Sequence, residues 1–171
     1  ARIIEDAGAC GITVHWRTAC EGRKRNIGWE SVTEVKRSVQ IPVIGNGGAY
    51  SPQLAVRFLE EAQCDAVMIS SAALGNPRIF SRANALLQGK PMEEDGWEKR
   101  QEDFAEYMKL AKNYGILNPK SLRAHAIEFA KFYHGAKALR KRLNDAKSLE
   151  EIANAVFEFK PLHSSSSDMK I

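Results

Sequence analysis

Polar residues suited to ligand binding follow three short apolar runs of this 171-residue sequence. The first run ends in His15 and Arg17, the second in a turn over residues 46–48, and the third in Ser70 and Ser71. An imidazole can donate a hydrogen bond, and glycines let backbone N–H groups approach an anion closely. Taken singly, these features also fit a hydrogen-bonded histidine, a reversal of the chain and two small packing residues. Their recurrence at three successive run ends favours a site for a phosphate-bearing ligand.

The second run, Ile41-Pro42-Val43-Ile44, organises the rest of the chain. Its β-branched residues predict a strand that is buried on both faces. The run breaks into Gly45-Asn46-Gly47-Gly48, and Ser51-Pro52 then predicts a helix that begins with a capping side chain and a proline. Free N–H groups and the helix dipole favour phosphate where a strand, a glycine-rich turn and a helix N-terminus meet. This arrangement can receive an anion such as phosphate, and a glycine turn by itself also serves merely to reverse the chain.

Apolar spacing predicts alternating strands and helices over residues 1–89. The predicted strands cover 11–15, 41–44 and 66–69, and the predicted helices cover 29–39, the segment after Ser51, and a segment capped by Asn76-Pro77 that ends near Gly89. This order is typical of (β/α) barrels, in which strand ends face the active-site mouth. A barrel needs eight units in about 250 residues and three are present here, so we predict an α/β fold with three units of a partial TIM barrel.

From residue 90 the pattern changes to helices alone. Residues 90–96 predict a polar linker, and helices are predicted over 97–114, 121–133, 136–144 and 149–159. Ser148 with Glu151 three residues later predicts a capping box for the last of them. We therefore expect an all-α helical bundle domain over residues 97–160 and a flexible tail over 161–171.

The net charge of +4 is confined to the helical part. Residues 1–96 carry 11 basic and 11 acidic residues, whereas residues 97–171 carry 14 and 10. Basic clusters of this kind are either solvated helix faces or contacts to a nucleic-acid backbone. The candidates are Lys131, Lys137, Arg140 and Lys141 in the helical part, with Arg23, Lys24 and Arg25 in a loop of the first part.

The cysteines and the hydropathy of the sequence indicate in which cellular compartment the protein is found. Cys10, Cys20 and Cys64 have neither a CxxC motif nor a metal-ligand spacing, and their odd number predicts reduced thiols in a cytoplasmic protein. Cys64 precedes a predicted strand, which favours a small core residue. No apolar run approaches the ~20 residues of a membrane span, so we expect no membrane partner. Because the cysteines lack a metal-ligand spacing, we also expect no metal site.

Several segments, in their order and spacing, resemble the tRNA-dihydrouridine synthase family. Across residues 1–80 they are Ile12-Thr13-Val14-His15-x-Arg17-Thr18, Trp29, Ile41-Pro42-Val43-Ile44-Gly45-Asn46-Gly47, Cys64-Asp65-x-Val67-Met68-Ile69 and Ala73-Leu74-Gly75-Asn76-Pro77. The family's C-terminal RNA-binding domain is similar to the segments Leu122-Arg123-x-His125 and Gly135-Ala136-x-x-Leu139-Arg140. The resemblance thus spans nearly the whole chain.

The resemblance implies an FMN-dependent enzyme that reduces uridines of tRNA to 5,6-dihydrouridine with NADPH. In such an enzyme the reduced flavin gives a hydride to C6 of the base, and a cysteine protonates C5. It also implies that His15 lies beside the flavin, that Asn46, Gly47 and Gly48 hold its ribityl-phosphate end, and that the backbone at Ser70 and Ser71 binds the phosphate. The basic residues would contact tRNA, and the complete protein would be a monomer.

The sequence departs from the family pattern in three ways. Gly48 stands where the family usually has Asp, and Ser70-Ser71 stands where it usually has Gly-Arg. The family's first barrel strands, catalytic Cys and flavin-contacting Lys would all precede Ala1, where an interrupted helical pattern suggests that the chain begins inside an element. We therefore assign no catalytic residue and expect the chain to be inactive without the upstream barrel half.

Two other classes of function stay open from the sequence. One is an FMN-binding TIM-barrel oxidoreductase that acts on a small molecule, which would leave the basic helical part unexplained. The other is a non-catalytic RNA-binding fragment. An upstream reading frame that encodes the missing strands would favour the synthase.

Overall fold

The computed structural model describes residues 1–17, 28–94, 96–131 and 133–161. The chain folds into two compact units. The first contains Ala1–Ala73 and Arg78–Glu93, and the second contains Leu74–Pro77 and the chain from Glu94 onward. Within the described ranges, no helix is both long enough and apolar enough to cross a membrane.

The first unit is built on a three-stranded parallel sheet. Its elements are α1 (Arg2–Asp6), β1 (Ile12–His15), α2 (Glu30–Ser38), β2 (Val43–Asn46), α3 (Pro52–Ala62), β3 (Ala66–Met68), a 3-10 turn (Ser71–Ala73) and α4 (Ile79–Leu87). The strands lie in the order β1-β2-β3 and pair in parallel. Parallel strands in chain order, joined through helices, are compatible with part of a TIM barrel.

The sheet is buried on one face only. Val43 and Gly45 of β2 are buried, and Val43 belongs to a core with Trp29, whose ring stacks on Phe58 at a centroid distance of 4.5 Å. Alternate residues point the other way and are half-buried or exposed: Thr13, His15, Ile44, Asn46, Ala66 and Met68. The prediction of a strand over 41–44 buried on both faces is therefore wrong, because the helices α2 and α3 cover a single face.

The start of α3 confirms the predicted cap, whereas the start of α4 does not. Ser51 Oγ accepts the N–H of Leu54 at 3.2 Å, and Pro52 is the first helical residue. The predicted Asn76-Pro77 cap is wrong, because α4 begins only at Ile79 and residues 74–77 belong to the second unit. There Gly75 packs against the backbone of α6 in a left-handed conformation (φ +69°), which is incompatible with a helix.

Asp65 joins α2, β2 and β3 through its carboxylate. Lys36 of α2 donates to Oδ2 at 2.7 Å, and the backbone N–H of Val43 donates to the same oxygen at 2.7 Å. The hydrogen bond from Lys36, followed by that from Val43, stabilises the charged form and holds the pKa of Asp65 below its ordinary value. This carboxylate therefore stabilises the first unit most when it is ionised.

We expect Asp65→Asn to lower the melting temperature at neutral pH and to have less effect as the pH falls. Folding lowers the pKa of this carboxyl group, so its ionised form stabilises the folded state fully at pH values above the pKa of the unfolded chain, about 3.9. The stabilisation is lost as the pH falls through the lower pKa of the folded state. Thermal unfolding from about pH 7 to about pH 2 measures the effect. Asp6→Asn is the matched control, because Asp6 is exposed and no described residue bonds to its side chain. A difference from the wild type that stays constant with pH would contradict the assignment.

In the described residues of the second unit, four helices surround an apolar core. They are α5 (Trp97–Asn113), α6 (Pro119–Phe129), α7 (Ala136–Asp145) and α8 (Leu149–Glu158). The largest fully buried side chains among them are Phe104, Leu122, Leu139, Leu143, Ile152 and Val156. The apolar faces of four amphipathic helices thus supply most of this core, and Ala130 and Ala146, which directly follow α6 and α7, complete it.

Side-chain caps set the first residues of α6 and α8. The predicted start of α6 at Ser121 is wrong, because Asn118 Oδ1 accepts the N–H of Ser121 at 2.9 Å and the helix begins at Pro119. Its predicted end at Tyr133 is also too late, since the helix ends at Phe129. Ser148 Oγ accepts the N–H of Glu151 at 3.1 Å, as the capping box predicts, but the carboxylate of Glu151 accepts from Lys147 instead of Ser148.

Candidate functional site

A pocket of about 160 Å³ lies at the carboxyl ends of the three strands. All the residues that the sequence assigns to cofactor binding line it: His15, Asn46, Gly47, Gly48, Ser70 and Ser71. The parallel register places His15, Asn46 and Met68 side by side across the sheet. The first unit therefore brings the predicted residues to one place, as binding of a shared ligand requires.

The pocket also contains residues to which the sequence gave no binding role. These are Ala49, Tyr50 and Met68, and they are joined by Arg17, which the sequence places at the end of the first run without assigning it to the cofactor. Arg17 and Tyr50 follow β1 and the glycine turn, and in a parallel sheet the segments after neighbouring strands lie at the same edge. This position in the sequence is the signal that could have identified them.

His15 presents one ring nitrogen to the pocket as a hydrogen-bond donor. Nδ1 lies 3.1 Å from the backbone nitrogen of Arg17 and 3.4 Å from its carbonyl oxygen, and we assign the shorter contact, in which Nδ1 accepts the N–H and the other nitrogen of a neutral imidazole carries the proton. Nε2 lies beside Gly47, 3.0 Å from the position that a Cβ atom on this glycine would occupy. The Nε2–H group is thus available to an acceptor near the glycine turn.

The turn after β2 is a backbone cradle that only glycine can form. Gly47 has a φ of +97°, and a Cβ atom there would lie 2.9 Å from Nε1 of Trp16. Gly48 also has a positive φ, +82°. Hydrogen bonds among the described residues leave the N–H groups of both glycines without a protein acceptor. Successive free N–H groups of this kind form an anion-binding concavity.

The donors around the pocket fit the phosphate-bearing end of a cofactor such as FMN. Four buried side-chain nitrogens have no hydrogen-bond partner in the described part of the chain. Trp29 Nε1 and Trp97 Nε1 belong to the two apolar cores, whereas Arg17 Nε lies on a residue that lines the pocket and Trp16 Nε1 lies beside Gly47. Both are donors, as are the glycine N–H groups and His15 Nε2–H, whereas phosphate oxygens are acceptors. Small-molecule sites usually enclose roughly 300–1,000 Å³, so a pocket of about 160 Å³ has the size for one end of such a ligand.

The described cysteines do not form a reactive site. Cys64 is buried, its Sγ lies 3.3 Å from the carbonyl oxygen of Ala66, and burial raises the pKa of its thiol. A raised pKa leaves little thiolate for nucleophilic chemistry, which fits the predicted core role. Cys10 is exposed, and Cys20 lies outside the described residues.

Three of the predicted RNA-contacting residues share the exposed face of α7. Lys137, Arg140 and Lys141 are exposed, whereas Leu139 and Leu143 of the same helix are buried. None of these three cations forms an ion pair with a carboxylate of the described residues. Their charge is therefore available to an external anion.

The other predicted RNA-contacting residues differ from these three. Lys131 forms an ion pair with Glu128 at 3.0 Å, which offsets its charge. Arg142 is a further cation of α7 that was not among the predicted RNA contacts; it lies off the shared face and pairs with Glu158 at 2.7 Å. Arg23, Lys24 and Arg25 fall outside the residues that the structure describes.

Comparison with known proteins gives a consistent result along the chain. Residues 1–163 match the family model described as "Dihydrouridine synthase (Dus)". The chain is 30% identical over 153 residues to "Probable tRNA-dihydrouridine synthase 1" of Synechocystis. The matched region covers 88% of this chain and 43% of that protein. It is 29% identical over 166 residues to "tRNA-dihydrouridine(16) synthase" of Neisseria meningitidis, and this matched region covers 91% of this chain and 48% of that protein.

A shorter segment is more similar to another relative. Over 80 residues the chain is 41% identical to "tRNA-dihydrouridine synthase B" of Xanthomonas axonopodis, which covers 47% of this chain and 24% of that protein. In all three comparisons the chain spans less than half of the relative's length.

Proposed function

Since this chain belongs to the dihydrouridine synthase family, we propose that it is part of an FMN-dependent tRNA-dihydrouridine synthase of the cytoplasm. In this proposal the enzyme reduces uridine to 5,6-dihydrouridine in tRNA with NADPH. Residues 1–89 supply three units of its TIM barrel, residues 97–160 form a helical tRNA-binding domain, and 90–96 link them. The complete enzyme acts as a monomer, and its catalytic residue lies outside this chain.

The observation that carries the proposal is the convergence of donors in one pocket. Three strand ends, separated by helices in the sequence, place His15, the glycine turn and Ser70-Ser71 around the same space. A merely structural set of strand ends would have its polar groups paired with one another. Here the buried donors and the glycine N–H groups have no protein acceptor among the described residues.

Each group of this chain has a distinct task in the proposed site. When bound, FMN supplies the hydride-transfer chemistry that amino-acid side chains lack. The N–H groups of Gly47 and Gly48 and the backbone at Ser70 and Ser71 hold its phosphate. His15 donates Nε2–H to the cofactor, and the bond from Arg17 to Nδ1 keeps the ring in the required tautomer and orientation.

The helical part contacts tRNA through the exposed cations of α7. Lys137, Arg140 and Lys141 lie three and four residues apart and therefore on one side of the helix. Lysine and arginine on a convex helix face contact phosphates and do not read bases, so this surface positions tRNA without choosing the uridine. A small-molecule oxidoreductase would have no use for such a surface.

We expect His15→Ala and Asn46→Ala to weaken FMN retention by about tenfold or more, because each removes a polar group that lines the pocket. Cys64→Ala is the control, since Cys64 is buried and does not line the pocket. Flavin occupancy after dialysis, measured by absorbance in a protein that carries the complete barrel, tests this. Equal occupancy in all three variants would contradict the proposed site.

A further inference from the structure

The pocket is lined by a positively charged residue, Arg17, to which the proposed function assigns no contact with the ligand. Ten described residues line the pocket, and among them only Arg17 carries a permanent charge. The others contribute main chain, hydroxyl groups, an imidazole, an amide and apolar atoms. Among the lining side chains, this guanidinium is therefore the source of attraction between full charges, and it adds to the attraction of the glycine N–H dipoles.

Arg17 is held in place by neutral groups. Its Nη2 donates to the hydroxyl oxygen of Tyr50 at 3.0 Å. Its guanidinium carbon lies 4.8 Å from the centroid of the Trp16 ring, within the range of a cation–π interaction. These two contacts fix the orientation of the side chain, and neither of them neutralises its charge.

Arg17 has no anionic partner within the described part of the chain. No carboxylate there forms an ion pair with it, and its Nε is buried without an acceptor. A buried donor on a charged group that lacks an acceptor is destabilising unless a ligand supplies one. The arrangement is thus preorganised for an anion that enters the pocket, because the guanidinium needs no further ordering on binding.

We propose that Arg17 is the cationic anchor for the phosphate group of the ligand in this pocket. Arg17 supplies the charge, while the N–H groups of Gly47 and Gly48 supply short neutral hydrogen bonds. Tyr50 acts as a positioning residue, since it reaches the ligand through Arg17. That the phosphate belongs to FMN rests on the proposed function, whereas the anion site itself rests on the geometry alone.

This role of Arg17 also accounts for a phosphate site in which residue 71 is an uncharged serine. With serine at this position the 3-10 turn offers no cation to a phosphate, and Ser70 offers none either. Arg17 lines the same pocket and follows β1, the strand at the opposite edge of the sheet from β3. The charge requirement of a phosphate site is therefore met from a different element.

The test compares FMN with riboflavin, which has the same ring and ribityl chain but no phosphate. In the protein that carries the complete barrel, Arg17→Gln should weaken FMN binding roughly 10- to 100-fold and leave riboflavin binding unchanged. Arg17→Lys keeps the charge and should recover part of the loss. Arg57→Gln is the matched control, because Arg57 also lies over a tryptophan ring, Trp29 at 5.6 Å, but does not line the pocket. Flavin fluorescence quenching gives both affinities.

A second probe separates this inference from the identity of the cofactor. Inorganic phosphate should compete with FMN in the wild type, and Arg17→Gln should weaken phosphate binding by the same factor as FMN binding. If phosphate binds through Arg17 but neither flavin binds the wild type, the anion site stands and the FMN assignment fails. If Arg17→Gln weakens FMN and riboflavin equally, or weakens neither, Arg17 is not the phosphate anchor. A circular dichroism melt of each variant identifies any loss caused by unfolding.

Discussion

Replacing Lys137, Arg140 and Lys141 with glutamine is expected to flatten the salt dependence of tRNA binding by about two to three units of log–log slope. Each phosphate neutralised by a cation releases counterions, which contributes about −0.7 to −0.9 to the slope. All three side chains are exposed on one face of α7 and have no ion-pair partner among the described residues. Titrations of tRNA with the whole 171-residue chain at several salt concentrations measure the slope.

The control for this experiment changes the net charge equally. Lys109, Lys112 and Lys120 are also exposed and lie in the same unit, on α5 and α6, and Lys109 is paired with Glu106 at 3.5 Å. Their replacement by glutamine removes three positive charges away from α7 and should leave most of the slope in place. Arg142→Gln should likewise have little effect, because Arg142 is already paired with Glu158. If the α7 variant keeps the wild-type slope, its exposed face is ordinary solvated surface and tRNA binds elsewhere.

Gly75→Ala is expected to destabilise the second unit by roughly 2–5 kcal/mol, from left-handed strain of about 1–2 kcal/mol and overpacking of about 1–3 kcal/mol. Gly75 has a φ of +69°, and a Cβ atom there would lie 2.4 Å from the carbonyl carbon of Glu128 and 2.4 Å from the nitrogen of Phe129. Both are backbone atoms of α6, so no side chain can rotate away. Arg100, which is buried and donates to the carbonyl oxygen of Gly75, would also be displaced.

A second glycine separates the steric clash from the backbone strain. Gly115 follows α5 with nearly the same φ, +68°, but a Cβ atom there would meet nothing within 4 Å. Gly115→Ala should therefore show only the strain, about 1–2 kcal/mol. Urea unfolding monitored by circular dichroism compares the two variants. Equal destabilisation would show that the packing of Gly75 against α6 contributes nothing to stability.

Local sequence determined most of the individual elements of this protein. A side-chain cap and a proline start α3 at Pro52 because these groups satisfy the free N–H groups of the first turn. The cap of α8 by Ser148 follows likewise from a local motif, the capping box. The site residues were also predictable, since strand ends in parallel sheets meet at one edge. These features depend on neighbours in the sequence or on a general property of the fold class.

Tertiary structure decided the features that depend on distant partners. The segment around Gly75 is excluded from α4 because it packs against α6, about fifty residues later in the chain. Arg142 loses its availability to RNA through Glu158 of another helix. Arg17 becomes a fixed cation through Tyr50, which lies 33 residues away in the sequence. Periodicity and capping describe interactions within a few residues, so they contain no information about which distant group pairs with a charge or which face a helix covers.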